Sequence, residues 1–440
     1  MSLASFVSRA NARLHPLRGI GLRGLLAAAA RLSSAAVVAQ LLAIAASPVL
    51  LRLYTPEAFG VYLALTIVTS LGSTLATWRF ELAVQSPRSF RRAVALVAAA
   101  AAAAVLTSAA AWCVFWLVAV EFGRFFGIHD AQSFSYFVPV MLLSTAAIEI
   151  LRFLLWRQKA FGFTAAAIVI AAGTTILTQF ALGMTGLASH GLLVGACMGQ
   201  VVAASYLLAA AAKYRLPRAS LLSLRTIASV AGEYRAFPLV TMPAGFAHMI
   251  AMQAPSAAIG ALFGPSTGGL YYLASRLISA PVNVLSSSVY PTFVSAVTEV
   301  DRTQPGKLAS LHLAFVSALL LVMSPLLALF AVGPEIFAFA FGEQWRHAGR
   351  FAAWIALAET VHLAATTTSA LNVLRLNYLH AIWVLTAILI VGGVIVLVAW
   401  SSASQDQAVT AISIGTAFAY GLLILLNAYA LARRSRSAGR

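Results

Sequence analysis

The sequence predicts an all-α polytopic membrane protein with about twelve transmembrane helices in two lobes of six. Apolar stretches of about 20 residues recur along the chain, and a helix of that length rises about 30 Å, enough to cross a bilayer. Basic residues fall almost entirely in every second gap between these stretches. Of the 440 residues, 61% are hydrophobic and only 9% are charged, which excludes an ordinary soluble domain.

Each apolar stretch is bounded by charged, Gly or Pro residues, which mark the gaps between spans. The least distinct gaps are 183–189, between the fifth and sixth spans, and the one around Arg375 and Asn377, between the tenth and eleventh. In chain order, the predicted spans are 32–51, 58–84, 93–120, 133–156, 163–183, 187–212, 236–262, 268–295, 308–332, 350–373, 378–400 and 409–432.

The alternation of basic residues orients the spans, because Lys and Arg are retained on the cytoplasmic side of a membrane. It predicts that both termini are cytoplasmic. The basic residues outside cytoplasmic gaps are Arg52, Arg124, Arg346 and Arg350 in external gaps and Arg79, Arg152 and Arg276 within spans. The net charge of +17 thus reflects topology. We expect no nucleic-acid partner, because the basic residues form no patch interleaved with aromatic ones.

The longest cytoplasmic gap divides the chain into two halves. Gly60-Val-Tyr-Leu-Ala64 and Gly269-Leu-Tyr-Tyr-Leu-Ala274 open the second helix of each half, an echo that favours duplication. Many transporters are built from such repeats, with the substrate path between them. The predicted parts are a basic tail at 1–31, a first lobe at 32–212, a linker at 213–235, a second lobe at 236–432 and a basic tail at 433–440.

Polar side chains at helical spacing predict which faces of the spans avoid lipid. The clearest stripe is on the eighth span, within about 60° of the helix circumference. An Arg in mid-span costs at least about 2.5–3.5 kcal/mol on insertion scales, so Arg276 needs a compensating environment. An ion pair with Glu359 and a hydrated cavity that attracts anions both remain open. The stripe consists of Tyr272, Arg276, Ser279, Asn283 and Ser287.

Other ionisable residues lie within or near the ends of spans. Glu149 and Arg152 are three residues apart and can pair on their own helix, with Trp156 on the same face. Near the cytoplasmic end of the second span, Arg79 can extend to the lipid headgroups. The remaining candidates are Glu81 on the second span, His248 on the seventh, and Glu359 and His362 on the tenth, whose stripe continues to Thr366 and Ser369.

The chain lacks the motifs of the common enzyme classes. It has no Gly-rich phosphate loop followed by Lys-Ser/Thr, no His-Glu-x-x-His and no Gly-x-Ser-x-Gly. No loop is long enough to fold a catalytic domain. Cys113 and Cys197 have neither metal nor redox spacing. We therefore expect a membrane transporter without cofactor or metal, and not an enzyme.

Five runs of residues, spread over nearly the whole chain, resemble runs in bacterial Wzx-type O-antigen flippases. The runs occur in the same order as in those proteins. The final two spans carry no such signature. The runs are Ala39-Gln-Leu-Leu-Ala-Ile-Ala-Ala-Ser-Pro48, Arg52-Leu-Tyr-Thr-Pro-Glu-Ala-Phe-Gly60, Arg79-Phe-Glu-Leu-Ala83, Tyr272-Leu-Ala-Ser-Arg-Leu-Ile-Ser-Ala-Pro281, and Phe341-Gly-Glu-Gln-Trp345 through Ala348-Gly349.

The resemblance implies a member of the multidrug/oligosaccharidyl-lipid/polysaccharide exporter superfamily, with two six-helix lobes in a V around a central cavity. Such a flippase moves undecaprenyl-pyrophosphate-linked oligosaccharide, an O-antigen or exopolysaccharide unit, across the bacterial inner membrane by alternating access. A polysaccharide polymerase and a chain-length regulator are its candidate protein partners. Carried over to this sequence, Arg276 and then Arg79 would receive the pyrophosphate. Tyr272, Asn283, His248 and Trp156 would contact the remaining substrate.

The energy source stays open at this point. The first span has Ser33, Ser34, Gln40 and Ser47 but no acid, so it shows no ion site of the multidrug-antiporter kind. Coupling to protons or sodium and uncoupled flipping are both compatible with the sequence. The residues that would serve either ion coupling or structural ion pairs are Glu81, Glu149, Arg152, Glu359 and His362.

Three other functions compete with the flippase. A cation-coupled multidrug exporter of the same superfamily should prefer acids to arginines in its cavity. The peptidoglycan-precursor flippases have fourteen helices, whereas this chain supports twelve. A membrane subunit that only scaffolds a glycan-assembly complex would tolerate any change in the cavity.

Overall fold

The computed structural model describes residues 22–438 apart from 187, 214–222, 369, 372, 373 and 375. This part of the chain is almost entirely helical and contains no β-strand. The spans, in order, are Leu22–Leu53, Pro56–Ala76, Phe90–Phe126, Phe137–Arg157, Phe161–Gly183, Ala188–Ala212, the two parts of Met242–Thr303, Leu308–Met323 continued by Leu329–Phe341, Arg346–Thr367, Asn377–Trp400 and Gln405–Ala438.

The helices match the predicted number of spans. Within the described residues, ten segments are long and apolar enough to cross a membrane. One of them, Phe237–Thr303, has 67 residues and is broken at Gly264, whose φ of +82° is not helical. It therefore supplies both the seventh and eighth spans. The less apolar Arg346–Thr367 completes the twelve, and the prediction of an all-α polytopic fold is confirmed.

Contacts among the connections after odd-numbered spans place these connections on one face of the molecule. Tyr54, after the first span, donates a hydrogen bond from its hydroxyl to the backbone oxygen of Gln179, near the end of the fifth, at 2.6 Å. Thr267, after the break at Gly264, donates to Gln405, the first residue of the twelfth span, at 2.8 Å. This is the face that the charge pattern predicts to be external.

The connections after even-numbered spans meet on the opposite face. Arg157, at the end of the fourth span, donates to the backbone oxygen of Val84 at 3.0 Å. Arg434, at the end of the twelfth, pairs with Asp301 at the end of the eighth, at 2.9 Å. Successive spans therefore run in opposite directions, as repeated crossing of a bilayer requires.

The second and eighth spans make the closest contact between the two halves. A Cβ added to Gly60 would lie 1.8 Å from the backbone oxygen of Pro265, and one added to Gly269 would lie 1.9 Å from that of Pro56. Each helix thus begins with a Pro, and the Gly four residues later packs against the backbone of the Pro in the other helix. The similar runs that the sequence shows at 60–64 and 269–274 begin at these two glycines.

A second contact joins the halves on the same face. The fully buried Trp345, in the short helix Glu343–Trp345, donates from its indole nitrogen to the backbone oxygen of Leu51 at 2.7 Å. Gln344 donates to the same oxygen at 3.0 Å. The ring of Trp345 also packs edge-on against Phe59, with centroids 5.4 Å apart. Together with the Gly60–Gly269 crossing, this contact closes the predicted external side.

The second span differs from its predicted bounds of 58–84. It ends at Ala76, because Trp78 and Arg79 have φ values of +52° and +60°, which an α-helix cannot contain. A short helix, Phe80–Ala83, follows. The break changes the direction in which Arg79 leaves the span.

Several other spans are longer than predicted. The first begins by Leu22 and the twelfth runs to Ala438, so helix continues into both predicted tails. The ninth reaches Phe341 through a 3₁₀ turn. Residues 1–21 and the first part of the linker, 214–222, lie outside the described residues, as do Ser369 and Arg375.

The last part of the linker is a surface helix, Leu224–Glu233. Its buried Val230 and partly buried Ile227 pack with residues of the third span. Glu233 forms an ion pair with Arg92 at the start of that span. The linker is thereby attached to the first half before the chain enters the seventh span.

Candidate functional site

Arg276 on the eighth span opens onto a cavity of about 460 Å³. The other walls come from the first, second, fifth and sixth spans. A cation of the second half therefore projects toward helices of the first. Arg276 is an exposed residue, so its side chain is not enclosed in the packed core.

A tyrosine hydroxyl holds the guanidinium of Arg276. Nη1 of Arg276 donates to the hydroxyl of Tyr272, one turn earlier, at 3.0 Å. The ring of Tyr272 packs edge-on against Tyr62 of the second span, with centroids 5.7 Å apart. Tyr62 is also close enough to interact with the charge of Arg276. The two halves thus share the support of this cation.

Arg276 has no carboxylate partner within the described part of the chain. No Asp or Glu oxygen there lies within 4.0 Å of its nitrogens. The ion pair with Glu359 that the sequence left open does not form, because Glu359 faces Ser279 and His362 instead. The positive charge of Arg276 is available to a ligand.

Amide and hydroxyl side chains line the cavity beside Arg276. Sequence reasoning noted Gln40 and Ser47 but did not connect them with Arg276, and it did not assign the others to a site. The signal was present, because an amide within an otherwise apolar span is costly to bury without partners. These lining residues are Gln40 and Ser47 on the first span, Tyr62 on the second, Thr175 and Gln179 on the fifth, and Gln200 on the sixth.

Glycines on the sixth span bring this polar wall together. A Cβ at Gly195 would lie 2.3 Å from the side chain of Gln179, and one at Gly199 would lie 1.9 Å from Thr175 Oγ1. Spacing of small residues by four allows membrane helices to approach closely. The fifth and sixth spans therefore pack tightly enough to form one wall.

Two of the amides keep hydrogen-bonding capacity toward the cavity. Gln200 accepts bonds at Oε1 from Thr145 and from Ser144, the latter at 3.3 Å, which directs its NH₂ group away from the fourth span. Gln40 makes no side-chain hydrogen bond to another described residue. Both residues are only partly buried.

Arg79 belongs to a separate charged group at the end of the second span. The buried Glu81 accepts a hydrogen bond from Thr77 and lies 3.7 Å from Arg79. Glu149 pairs with Arg152 and is close enough to interact with the charges of both Glu81 and Arg79. We call these four ionisable residues the N-half charge cluster. The two Arg and two Glu side chains have partners within the cluster, unlike Arg276.

The N-half charge cluster contacts the second half. A Cβ at Gly245 on the seventh span would lie 2.7 Å from Nη2 of Arg79. On the other side of the cluster, the guanidinium of Arg152 stacks over the ring of Trp156 at 5.0 Å. Arg79 and Trp156 are therefore not brought together with Arg276, and neither lines its cavity.

Glu359 and His362 form a third polar group, in the second half. Glu359 accepts a hydrogen bond from Ser279 at 2.8 Å and contacts His362 Nδ1 at 2.9 Å. The ring of His362 packs against Tyr420 at 4.5 Å. The carboxylate side chain is 20% exposed. This group connects the eighth, tenth and twelfth spans.

Asn283 and His248 lie outside all three groups. Both are exposed. Asn283 is seven residues from Arg276, about two turns along the same face of the helix. Ser287, the last member of the predicted stripe, has a side chain outside the described ones.

Metal-ligating side chains are not gathered at any of these sites. Within the described residues, no group of three or more His, Cys, Asp and Glu residues is arranged to hold a metal ion. Cys113 is exposed and Cys197 is buried, and both are free thiols.

Solved transporter structures share the fold. The lipid II flippase MurJ in an inward closed conformation matches with a TM-score of 0.63 at 12% identity, over 90% of this chain and 86% of that one. An inward-facing multidrug resistance MATE family transporter of the MOP superfamily matches with a TM-score of 0.59 at 12% identity, over 92% and 95%. At such identity the likeness concerns the fold alone.

Sequence comparison adds the family. The search of curated proteins finds no significant match. The family described as polysaccharide biosynthesis protein matches residues 49–349, which is more than half of the chain. The chain therefore belongs to the polysaccharide biosynthesis protein family.

Proposed function

We propose that this protein flips undecaprenyl-pyrophosphate-linked oligosaccharide from the cytoplasmic to the periplasmic leaflet of a bacterial inner membrane by alternating access. The observation that carries the proposal is Arg276, a mid-span cation that opens onto a cavity between the two halves and has no described carboxylate partner. Membership of a polysaccharide biosynthesis family supports the substrate class.

Arg276 receives the pyrophosphate in this mechanism. Its planar guanidinium can donate two parallel hydrogen bonds to phosphate oxygens, and the apolar helices around the cavity strengthen the attraction. Tyr272 positions the guanidinium through its hydroxyl. Asn283, farther along the same face, continues the polar path, and His248 is an exposed contact on the neighbouring seventh span.

The closed contacts at Gly60–Gly269 and Trp345–Leu51 support a state that is closed toward the periplasm. Release of substrate to the periplasm requires these contacts to separate. In the same structure Arg79 of the N-half charge cluster touches Gly245, so entry from the cytoplasm requires this contact to separate. Arg79 acts in this contact and not in binding the pyrophosphate, and Trp156 supports Arg152 within the same cluster.

Glu359 is the residue best suited to energy coupling. Its partly exposed carboxylate contacts both a histidine and Ser279 on the span that carries Arg276. Protonation of Glu359 weakens its interaction with His362 and frees the eighth span to move. Glu81, Glu149 and Arg152 are assigned to structural ion pairs.

The main alternative is a cation-coupled multidrug exporter. It is disfavoured because a hydrophobic cation is repelled by Arg276, and the described lining of the cavity offers no carboxylate. A scaffold without transport is disfavoured because a mid-span Arg that has no described carboxylate partner costs free energy in the bilayer, and scaffolding alone does not require it.

Surface glycan tests the proposal. In a host whose own flippase is deleted, the wild-type chain and Arg276→Lys restore glycan export, whereas Arg276→Ala fails at equal membrane abundance. Arg124→Ala is the matched control, because Arg124 is 71% exposed and pairs only with Glu121 among described residues. Full export by Arg276→Ala contradicts the flippase; export of hydrophobic cations instead identifies the multidrug alternative.

A further inference from the structure

A second cavity lies between the ninth, tenth and twelfth spans, near their ends on the predicted external face. Its volume is about 210 Å³, below the range of about 300–1,000 Å³ that is typical of pockets for drug-sized ligands. It shares no described lining residue with the cavity beside Arg276. The size suits a small chemical group, and the position places that group away from the substrate path proposed above.

A cation and an anion face this cavity side by side. Arg350 is in the second turn of the tenth span, and Asp406 is in the first turn of the twelfth. Nη1 of Arg350 lies 3.5 Å from Oδ2 of Asp406, farther than the about 2.7–2.9 Å of a strong charge-assisted hydrogen bond. Neither side chain forms a hydrogen bond with another described residue, and Oδ1 of Asp406 is buried without a partner. The pair therefore keeps donors and acceptors for a ligand.

Apolar and aromatic side chains form another part of the wall. The rings of Phe330 and Trp354 pack edge-on, with centroids 4.9 Å apart, and Leu329 and Pro334 lie beside them. Phe330 is exposed. Tryptophan is enriched where membrane and water meet, and the exposed Trp400 ends the eleventh span on the same face. The cavity thus joins a charged pair to an apolar surface at the level of the lipid headgroups.

A zwitterionic headgroup matches this pair better than an anionic one. The guanidinium of Arg350 can bind phosphate oxygens, and the carboxylate of Asp406 can accept hydrogen bonds from an ammonium group. An anionic headgroup without an ammonium group would meet the like charge of Asp406, only 3.5 Å from the same guanidinium. A choline group has no N–H to donate. The geometry therefore favours a phosphate joined to a primary ammonium.

We propose that this cavity binds the headgroup of phosphatidylethanolamine from the leaflet on the predicted external side. Arg350 contacts the phosphate and Asp406 contacts the ammonium. The acyl chains leave the cavity past the exposed Phe330, which is why the ligand is the lipid and not soluble phosphoethanolamine. The site is independent of the transported substrate.

Lipid binding to the full chain in detergent tests the proposal. Native mass spectrometry measures the fraction of protein that retains phosphatidylethanolamine, phosphatidylglycerol or phosphatidylcholine, each with the same acyl chains and at the same concentration. Phosphatidylethanolamine is expected to bind about five times more tightly than either of the others. Equal binding of phosphatidylglycerol would overturn the charge match, and equal binding of phosphatidylcholine would overturn the ammonium contact.

Variants of the pair locate the preference. Asp406→Asn is expected to remove the preference over phosphatidylglycerol, whereas Asp406→Glu keeps the charge and should keep the preference. Arg350→Gln should weaken the binding of all three lipids. Glu299→Gln is the matched control, because Glu299 belongs to an exposed ion pair outside the cavity and its loss should leave the preference unchanged.

The remaining outcomes decide between this site and other sources of binding. A preference that survives Asp406→Asn, or that Glu299→Gln removes as well, would overturn the assignment. The melting temperature without added lipid shows whether each variant is folded, and Arg350→Gln provides the test if Asp406→Asn is not. Displacement of the lipid by an equal concentration of soluble phosphoethanolamine would overturn the lipid as the ligand. Because the readout is lipid binding, none of these results bears on glycan transport.

Discussion

Gly60 and Gly269 occupy matching positions on the second and eighth spans, and each faces the backbone oxygen of the Pro that begins the other helix. The arrangement is reciprocal, as expected for two copies of one structural unit packed about a local two-fold axis. It brings two backbones closer than any side chain allows. The close packing between the halves therefore depends on Gly60 and Gly269 having a hydrogen atom where other residues have a Cβ atom.

Substitution of either glycine should separate the halves at this point. The added Cβ of Gly60→Ala or Gly269→Ala meets backbone, which cannot turn aside, so we expect a loss of about 1–3 kcal/mol or more. Thermal unfolding in detergent measures the loss. Gly162→Ala is the control, because it has open space and should leave stability equal or slightly higher. Equal melting of all three variants would contradict the crossing.

The indole of Trp345 should contribute a specific hydrogen bond. Trp345→Phe removes the donor to Leu51 and is expected to cost about 1–2 kcal/mol, since Gln344 still donates to the same oxygen. Trp400→Phe, at a residue 89% exposed, should change the unfolding free energy by less than about 0.5 kcal/mol. A smaller loss at Trp345 than at Trp400 would exclude this role.

The N-half charge cluster should show coupling between its members. A double-mutant cycle with Arg79→Met and Glu81→Gln is expected to give a coupling free energy of about 1–3 kcal/mol, because Glu81 is buried. The exposed pair Arg302 and Glu299 provides the comparison, at no more than about 1 kcal/mol. Equal coupling in the two pairs would argue against a structural role for the cluster.

Removal of the Glu359 charge should uncouple transport from a proton gradient. Glu359→Gln retains an acceptor for Ser279 but no longer responds to pH. Translocation in proteoliposomes is expected to lose its acceleration by an imposed gradient, while Glu121→Gln, 71% exposed, keeps it. Gradient dependence that persists in Glu359→Gln would assign coupling elsewhere.

The sequence predicted the spans, and it identified Arg276 as a mid-span cation, because both depend on local patterns. Hydropathy identifies helices that lipid must surround, and a mid-span cation is costly wherever the fold places it. The break at Trp78–Arg79 was not predicted, because no Gly or Pro marks it. The positive φ values at the break accompany the burial of Glu81. That burial depends on tertiary packing, which a local pattern does not show.

Partners across helices could not be predicted either. Arg276 and Glu359 are of opposite charge type and could have formed an ion pair. In the structure, however, the eighth span directs Ser279 toward Glu359 and Arg276 toward the first half. Helical periodicity gives the face of a residue but not the helix that packs against it. For the same reason, the sequence could not show that Arg79 lies apart from Arg276. It also could not assign Gln179 and Gln200 to the cavity.

Protection of a cavity cysteine by substrate tests the central claim most directly. Leu277→Cys, in a chain with Cys113 and Cys197 replaced by Ala, places a thiol in the lining beside Arg276. A water-soluble thiol reagent should modify it, and undecaprenyl-pyrophosphate-linked oligosaccharide should slow the modification at least tenfold. Protection should vanish when Arg276→Ala is added. An unreactive thiol, or protection that survives Arg276→Ala, would contradict a hydrated cavity in which this guanidinium binds pyrophosphate.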